Sequence, residues 1–198
     1  MAVNVYTQRG FTLIELVAGM VIFGIVLAII ATLIAPQGRA SFDPLWQTRA
    51  TELSESLINE ISAKAFDEQS DFTGGMKRCG EVGMSLCTQS NDLGPDTGEA
   101  RADFDDVDDF HGLNLFGPAI SDSQGNAPVV NGDVMYRGFG AFVSVMYDDN
   151  LDGVNDDDID GDGALDTGTY SGSTKVITVT ITTPGNDSIV SSFVRKNF

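Results

Sequence analysis

Residues 11–35 form an almost uninterrupted apolar run, from Phe11, Leu13, Ile14, Leu16 and Val17 on through Met20 to Ile34. As an α-helix rising 1.5 Å per residue this run reaches about 35–40 Å, enough to cross a bilayer with some tilt. A cleavable secretory signal would have a shorter apolar core, about 7–15 residues, followed by a small-residue cleavage site. Pro36-Gln37-Gly38-Arg39 offers no such site. A plain single-pass anchor is the other alternative, and two features go beyond it. Met1 to Gly10 is a short polar segment that carries Arg9 and ends in Gly10 directly before the run. Glu15 then stands inside the run, where an ionised side chain is costly. Insertion scales put a central Asp, Lys or Arg at about 2.5–3.5 kcal/mol, and a Glu near the interface at less. A carboxylate kept there needs a cation, and the nearest candidate is an amine freed by cleavage after Gly10. The amine of the same chain lies about one helical turn away, and that of a neighbouring chain serves equally well. Either pairing turns Glu15 into a register pin for packing one helix beside the next.

The remaining chain has room for one head domain of ordinary size in a total of 198 residues. A net charge of -18 and a pI near 4.1 exclude phosphate neutralisation, and with it a nucleic-acid partner. Acid concentrates between Glu99 and Asp166, and no Lys or Arg occurs between Gly138 and Thr174. Those carboxylates are therefore solvated, protonated or bound to a metal. Cys79 and Cys87 stand close together. In a chain that leaves the cytoplasm they read as a disulfide, which closes a short loop and stabilises the fold by roughly 2–3 kcal/mol; in a reducing compartment they are two free thiols.

Pro36 and Gly38 interrupt the first helix. A second helix is signalled by Asp43 as N-cap with Pro44 at the first helical position. Leu53, Leu57, Ile61 and Ala65 recur every fourth residue, with Trp46 and Ala50 on an adjoining track, so this helix is amphipathic. Residues 70–133 are rich in Gly, Asp, Ser and Asn and read as a long structured loop region. Within it Asp103, Asp105, Asp106, Asp108 and Asp109 precede His111, the only histidine. Carboxylates with an imidazole suit several divalent metals, but a solvated turn capped by aspartates is the simpler reading. Strand character follows in Val134–Phe139 continuing through Phe142–Tyr147, then in Val176–Ile181 and Ser188–Arg195, with Pro184-Gly185-Asn186-Asp187 as a turn. The expected fold is α+β: a long N-terminal helix, membrane and amphipathic parts in succession, packed on a C-terminal antiparallel sheet of at least three strands. No nucleophile–base motif, phosphate loop or zinc-type Cys/His set is present, so the sequence does not read as an enzyme.

Between the first two strands, Asp148, Asn150 and Asp152 alternate ahead of Gly153, the opening of a calcium loop in which the glycine allows the turn that converges the oxygens. The twelfth position is Ile159 rather than Glu, so the loop is not an EF-hand; the spacing is closer to thrombospondin type 3 or dockerin-like repeats. Asp156, Asp158 and Asp160 before Gly161 repeat the pattern, allowing two calcium ions. A solvated acidic loop without metal is the alternative.

Arg9-Gly10-Phe11-Thr12-Leu13-Ile14-Glu15-Leu16-Val17 resembles the type III signal sequence of type IV prepilins and pseudopilins. The resemblance implies cleavage after Gly10 by a membrane peptidase, N-methylation of Phe11, and Glu15 as the fifth mature residue and an assembly contact. It implies a leader at 1–10, a transmembrane and assembly helix at 11–35, a kink and amphipathic helix at 36–66 and a periplasmic or extracellular head at 67–198. Helix first and antiparallel sheet last is also the shared pilin architecture. Arg49–Leu53, Lys64–Glu68, Arg78–Glu81 and Phe104–Leu113 resemble minor pilins of the mannose-sensitive haemagglutinin (MSHA) type, the MshD-like group. That resemblance implies a low-copy subunit that helps start or tune pilus assembly. Its partners are then the major pilin and other minor pilins, the prepilin peptidase and the inner-membrane assembly platform. Its location is the bacterial inner membrane, head in the periplasm, before assembly, and the extracellular pilus after it. A type II secretion pseudopilin, or an adhesive module shaped by calcium and displayed on a filament, are the alternatives.

Overall fold

The computed structural model describes residues 12–34, 43–71, 77–122 and 124–197, in two compact units, Met1–Leu45 and Trp46–Phe198. In the first unit, helix α1 spans Leu13–Ile34. Thr12 caps it, its hydroxyl oxygen accepting from the Glu15 N–H at 3.4 Å and its carbonyl accepting from the N–H groups of Glu15 and Leu16. Every side chain of α1 described is exposed, and Leu13–Thr32 is long and apolar enough to cross a membrane. The expected kink at Pro36 and Gly38 lies outside the described residues.

Helix α2 spans Asp43–Ser62, with Pro44 in its first turn, where a missing N–H costs nothing. Ala50, Leu53, Leu57 and Ile61 are buried at the expected spacing, with Trp46 and Ile58 half-buried beside them. Ala65, the next residue in that series, is also buried but lies past the helix end. It pairs with the acidic segment instead: its N–H donates to Asp105 O at 3.2 Å, and Val107 N–H donates to its carbonyl at 3.1 Å.

The apolar stripe of α2 packs on a four-stranded antiparallel sheet. Its strands are β1 (Asn114–Phe116), β4 (Gly140–Tyr147), β5 (Thr174–Thr182) and β6 (Ser188–Lys196), in the order β1-β4-β5-β6. Alternate residues of β4 and β5 point inward: Ala141, Val143 and Val145 face the helix together with Ile177, Val179 and Ile181. Phe104, Val107 and Phe110 close this core, and each fully buried large apolar side chain contributes about 1.5–3 kcal/mol. Ser54 on α2 donates to the Ser191 hydroxyl on β6 at 3.0 Å, a polar stitch across that layer.

The α+β reading with a C-terminal antiparallel sheet holds, and two strand expectations change. Val134–Phe139 is not a strand leading into β4. Val134 belongs to a small hairpin, β2 (Val129–Val130) with β3 (Asp133–Val134), turned by Asn131 and Gly132 at positive φ of 53° and 90°. The chain then coils through Gly138, at φ 81°, so that Tyr136 and Phe139 fold into the core edge-to-face at 5.8 Å. The second change is β1, only three residues long, which adds an edge strand beside β4.

Candidate functional site

Three features carry the chemistry: the start of α1, the acidic loop between β4 and β5, and a buried charge cluster at the β4–β5 end of the sheet. At the first, Glu15 is exposed in the opening turn of α1. It stands three residues after the Thr12 cap, the spacing of a capping box, at the positive end of the helix dipole. Its carboxylate is thus favoured where it stands before any partner arrives. Gly10 and Phe11, expected at the cleavage and methylation site, lie outside the described residues.

The acidic loop is two copies of one ten-residue unit. In the first, Asp148 accepts from the N–H of Asp152 and Gly153, Asn150 from Asp152 and Asp152 from Val154. In the second, Asp158 accepts from Gly161 and Gly163, Asp160 from Asp162 and Asp162 from Ala164. Each unit is closed by a later carboxylate: Asp156 accepts from Asp149 N–H at 2.6 Å, and Asp166 from Ile159 N–H at 2.5 Å. Backbone angles repeat as well. Leu151 and Gly161 have φ of 59° and 77°, and Gly153 and Gly163 have 86° and 88°.

Asp148, Asn150 and Asp152 thus repeat in hydrogen-bond pattern as Asp158, Asp160 and Asp162. The second set runs Asp158, Asp160, Asp162 before Gly163, not Asp156, Asp158, Asp160 before Gly161, and Asp156 closes the first unit instead. Asp162 and Asp166 were the residues missed; the ten-residue period, legible in the sequence, locates both. Carboxylate oxygens of Asp158, Asp160 and Asp166 lie within 4.8 Å of one another, an all-oxygen donor set of the kind hard cations take. Asp157, buried between the units, ties the loop down by accepting from Thr167 Oγ1 and from Gly168 N–H at 2.8 Å.

The third feature corrects the reading of Asp103–His111 as a solvated turn. Asp106, Asp108 and Asp109 are buried, on and beside a 3-10 turn at Asp108–Phe110. Asp106 Oδ1 accepts from the N–H groups of Asp108 and Asp109, and Asp109 Oδ2 from those of Asp105 and Asp106. His111 takes no part in an acid–imidazole site: its Nδ1 accepts from Val145 N–H at 3.1 Å, which extends the edge of β4. The cation that draws the acids inside is Lys175, on β5. Its Nζ is fully buried, 2.6 Å from Asp108 Oδ1 and 3.1 Å from Asp67 Oδ2, and donates to Phe66 O at 2.8 Å. Burial pushes the Asp106 carboxyl up to about 8, with Asp108 and Asp109 adding repulsion. Burial likewise pushes Asp108 up to about 7, against the pull of Lys175.

The family model for the prokaryotic N-terminal methylation motif matches residues 6–31. The match supports a type IV prepilin-like character for the chain. No curated protein and no solved structure matches it.

The matched segment contains the polar lead-in, Glu15 and most of α1, so the prepilin-like character rests on the unit that buries none of its described apolar side chains. The head of this prepilin-like chain is closed by the expected disulfide. Cys79 and Cys87 are bonded and buried, with Cα atoms 4.7 Å apart. Asn197, just past β6, donates to Cys79 O at 2.9 Å, and Cys79 N–H donates to Ser70 Oγ. The disulfide loop thereby fastens the C-terminal end of the sheet to the segment after α2.

Proposed function

We propose that this prepilin-like chain is a structural minor subunit of a type IV pilus of the MSHA type. It is cut after Gly10, methylated on Phe11 and assembled through α1, and it helps start or tune pilus biogenesis. The observation that supports this most is α1 itself: a methylation-motif helix whose described side chains are all exposed, attached to a unit with a complete core of its own. Such a helix has its burial still to come, first in a bilayer and then among neighbouring helices. Glu15 takes the role of the pin, pairing with the amine of its own or an adjacent subunit. The major pilin, other minor pilins, the prepilin peptidase and the inner-membrane assembly platform are its partners, with the head in the periplasm before assembly and outside the cell after it.

Calcium belongs to this proposal as a cofactor of the head. Asp148, Asn150, Asp152 and Asp156 supply one set of oxygens, and Asp158, Asp160, Asp162 and Asp166 the other. A bound divalent ion would relieve the repulsion among carboxylates that have no Lys or Arg between Gly138 and Thr174. The calcium loop shapes the head surface that neighbouring subunits meet.

Quantitative mass spectrometry of sheared surface filaments tests the assignment, with the N-terminal peptide inspected for methylated Phe11. Trace amounts of processed chain beside an abundant main subunit are expected. Abundance equal to the main subunit makes it a major pilin, and processed chain found only in the inner membrane makes it a pseudopilin. Gly10→Ala leaves an uncut precursor in the inner membrane; efficient processing of that variant removes the leader reading.

A further inference from the structure

We propose that Lys175 and Asp108 condense into an intramolecular isopeptide bond, with Asp67 as the group that moves the protons. The three side chains come from separate parts of the head: Lys175 opens β5, Asp108 begins the 3-10 turn, and Asp67 follows α2. They meet in the interior, where the Lys175 and Asp67 side chains are 0% exposed and that of Asp108 is 3% exposed. Two aromatic rings wall it, with Nζ lying 4.3 Å from the Phe66 centroid and 5.3 Å from that of Tyr147.

The amine and the carboxyl are close without being aligned as a hydrogen bond. Nζ is 2.6 Å from Asp108 Oδ1, off the ideal hydrogen-bond angles, and the Thr88 side chain also bears on this carboxyl. The hydrogens of Nζ are directed elsewhere, to Phe66 O at 2.8 Å and Asp67 Oδ2 at 3.1 Å. An amine held this near a carboxyl oxygen lies no further from the carbonyl carbon than that distance plus one C–O bond. That is the proximity a nucleophile needs, and fixed proximity of this kind replaces a large part of a bimolecular barrier. The buried surroundings favour neutral amine and carboxylic acid over two separated charges.

The step balances without any further reactant. The Lys175 Nζ lone pair adds to Asp108 Cγ, forming the N–C bond. Asp67 takes a proton from the nitrogen and passes it to the Asp108 hydroxyl, whose C–O bond breaks and which leaves as water. Amine and acid become one amide, Asp67 returns to its starting form, and nothing is oxidised or reduced. The product removes two ionisable groups from the core and ties the start of β5 to the turn that follows the α2 segment.

The test is the intact mass of the full processed chain, purified in detergent with its disulfide reduced, followed by a tryptic map. The expected mass is one water below that calculated for residues 11–198 with an N-methylated Phe11. The expected map contains a branched peptide joining 102–137 to 138–195, uncut after Lys175. Asp108→Ala and Lys175→Arg lose both signatures. Asp67→Asn keeps the amine and the Asp108 acid but leaves the chain at full mass, with folding confirmed by its circular dichroism. Wild-type protein at full mass, cut cleanly after Lys175, overturns the proposal. So does a water deficit that persists in Asp108→Ala, since the lost water then comes from elsewhere. A link formed to the wild-type extent in Asp67→Asn overturns the role given to Asp67.

Discussion

Two groups of aspartates lie within the same head and are treated in opposite ways. In the loop between β4 and β5, most carboxylates are at or near the surface and accept hydrogen bonds from their own unit's backbone N–H groups. At the Lys175 cluster, Asp67, Asp106 and Asp108 are withdrawn from water altogether. The loop acids are held by local chain geometry, which any Asp-rich turn supplies over a few residues. Of the cluster acids, Asp67 and Asp108 are ion-paired to a single distant cation, which compensates their charge in the interior, while Asp106 and Asp109 accept backbone N–H groups of their own turn. The loop group is thus replaceable residue by residue, while the ion-paired acids stand or fall together.

Removing the cation breaks the contrast most sharply. Lys175→Ala leaves Asp108 buried without its cation and Asp67 with only the N–H groups of Gln69 and Thr88, at a cost of about 3–5 kcal/mol. For a domain of this size, at about 2–4 °C per kcal/mol, the melting temperature falls on the order of 10 °C. Circular dichroism melting of the full chain checks it; a fall no larger than that of Asp160→Asn would show that the buried acids do not depend on Lys175.

Calcium comes next in size and acts on the loop alone. At a free concentration about a hundred times its Kd it adds about 2.7 kcal/mol, seen as a higher melting temperature in calcium than in chelator. Replacing Asp148 and Asp158 together by Asn abolishes the increment, whereas Lys175→Ala retains it. Identical wild-type melting in calcium and chelator would remove the metal from the head.

The pH dependence belongs to the cluster. Asp106 titrates near 3.8 when the chain is unfolded and at about 8 when folded, so between these values the folded state holds a proton that the unfolded state has released. Its contribution is complete below the lower value and is lost as pH rises through the upper one. Asp108, Asp109 and Lys175 face it and share in the effect. Melting in chelator should therefore fall by several degrees from about pH 5 to about pH 8, and Asp106→Asn should flatten the slope. A melting temperature that rises over that range would contradict the burial of Asp106 as an acid.

The smallest effect tests the equivalence of the two loop units. Leu151 holds the left-handed conformation that Gly161 holds in the second unit, and a side chain there costs about 1–2 kcal/mol. Leu151→Gly, offset by the greater freedom of glycine when unfolded, should raise stability by under about 1 kcal/mol. A clear loss would mean that Leu151 makes contacts the second unit lacks.

What could be read from the sequence follows the same division between local and distant causes. α1, the α2 stripe from Ala50 to Ile61, β5, β6 and the Cys79–Cys87 pair all announce themselves within a few residues, by period or by spacing. The β2–β3 hairpin had its signal too, in Asn131-Gly132, but the flanking Val pairs are too short to read as strands. The second loop unit was misplaced by two residues because Gly161 and Gly163 both follow acidic alternations, and only the ten-residue period separates them. Strand character at Val134–Phe139 was overridden by Gly138 and by the pull of Tyr136 and Phe139 into the core. The burial of Asp108 had no local signal, since the lysine it pairs with comes from β5, on the far side of the acidic loop.

The ten-residue unit has a consequence for how such a head can change length. Each unit closes between its own second and ninth residues, the Asp149 N–H donating to Asp156 and the Ile159 N–H to Asp166. The strand ends are fixed by the β4–β5 register, which begins at Tyr147 and Lys175, and by the first residue of the first unit, whose Asp148 N–H donates to Thr174 O at 3.1 Å. A whole unit gained or lost leaves those anchors and every strand pair where they are, whereas an insertion of any other length breaks a closure. Length variation at this point of the chain is therefore quantised, in steps of ten residues.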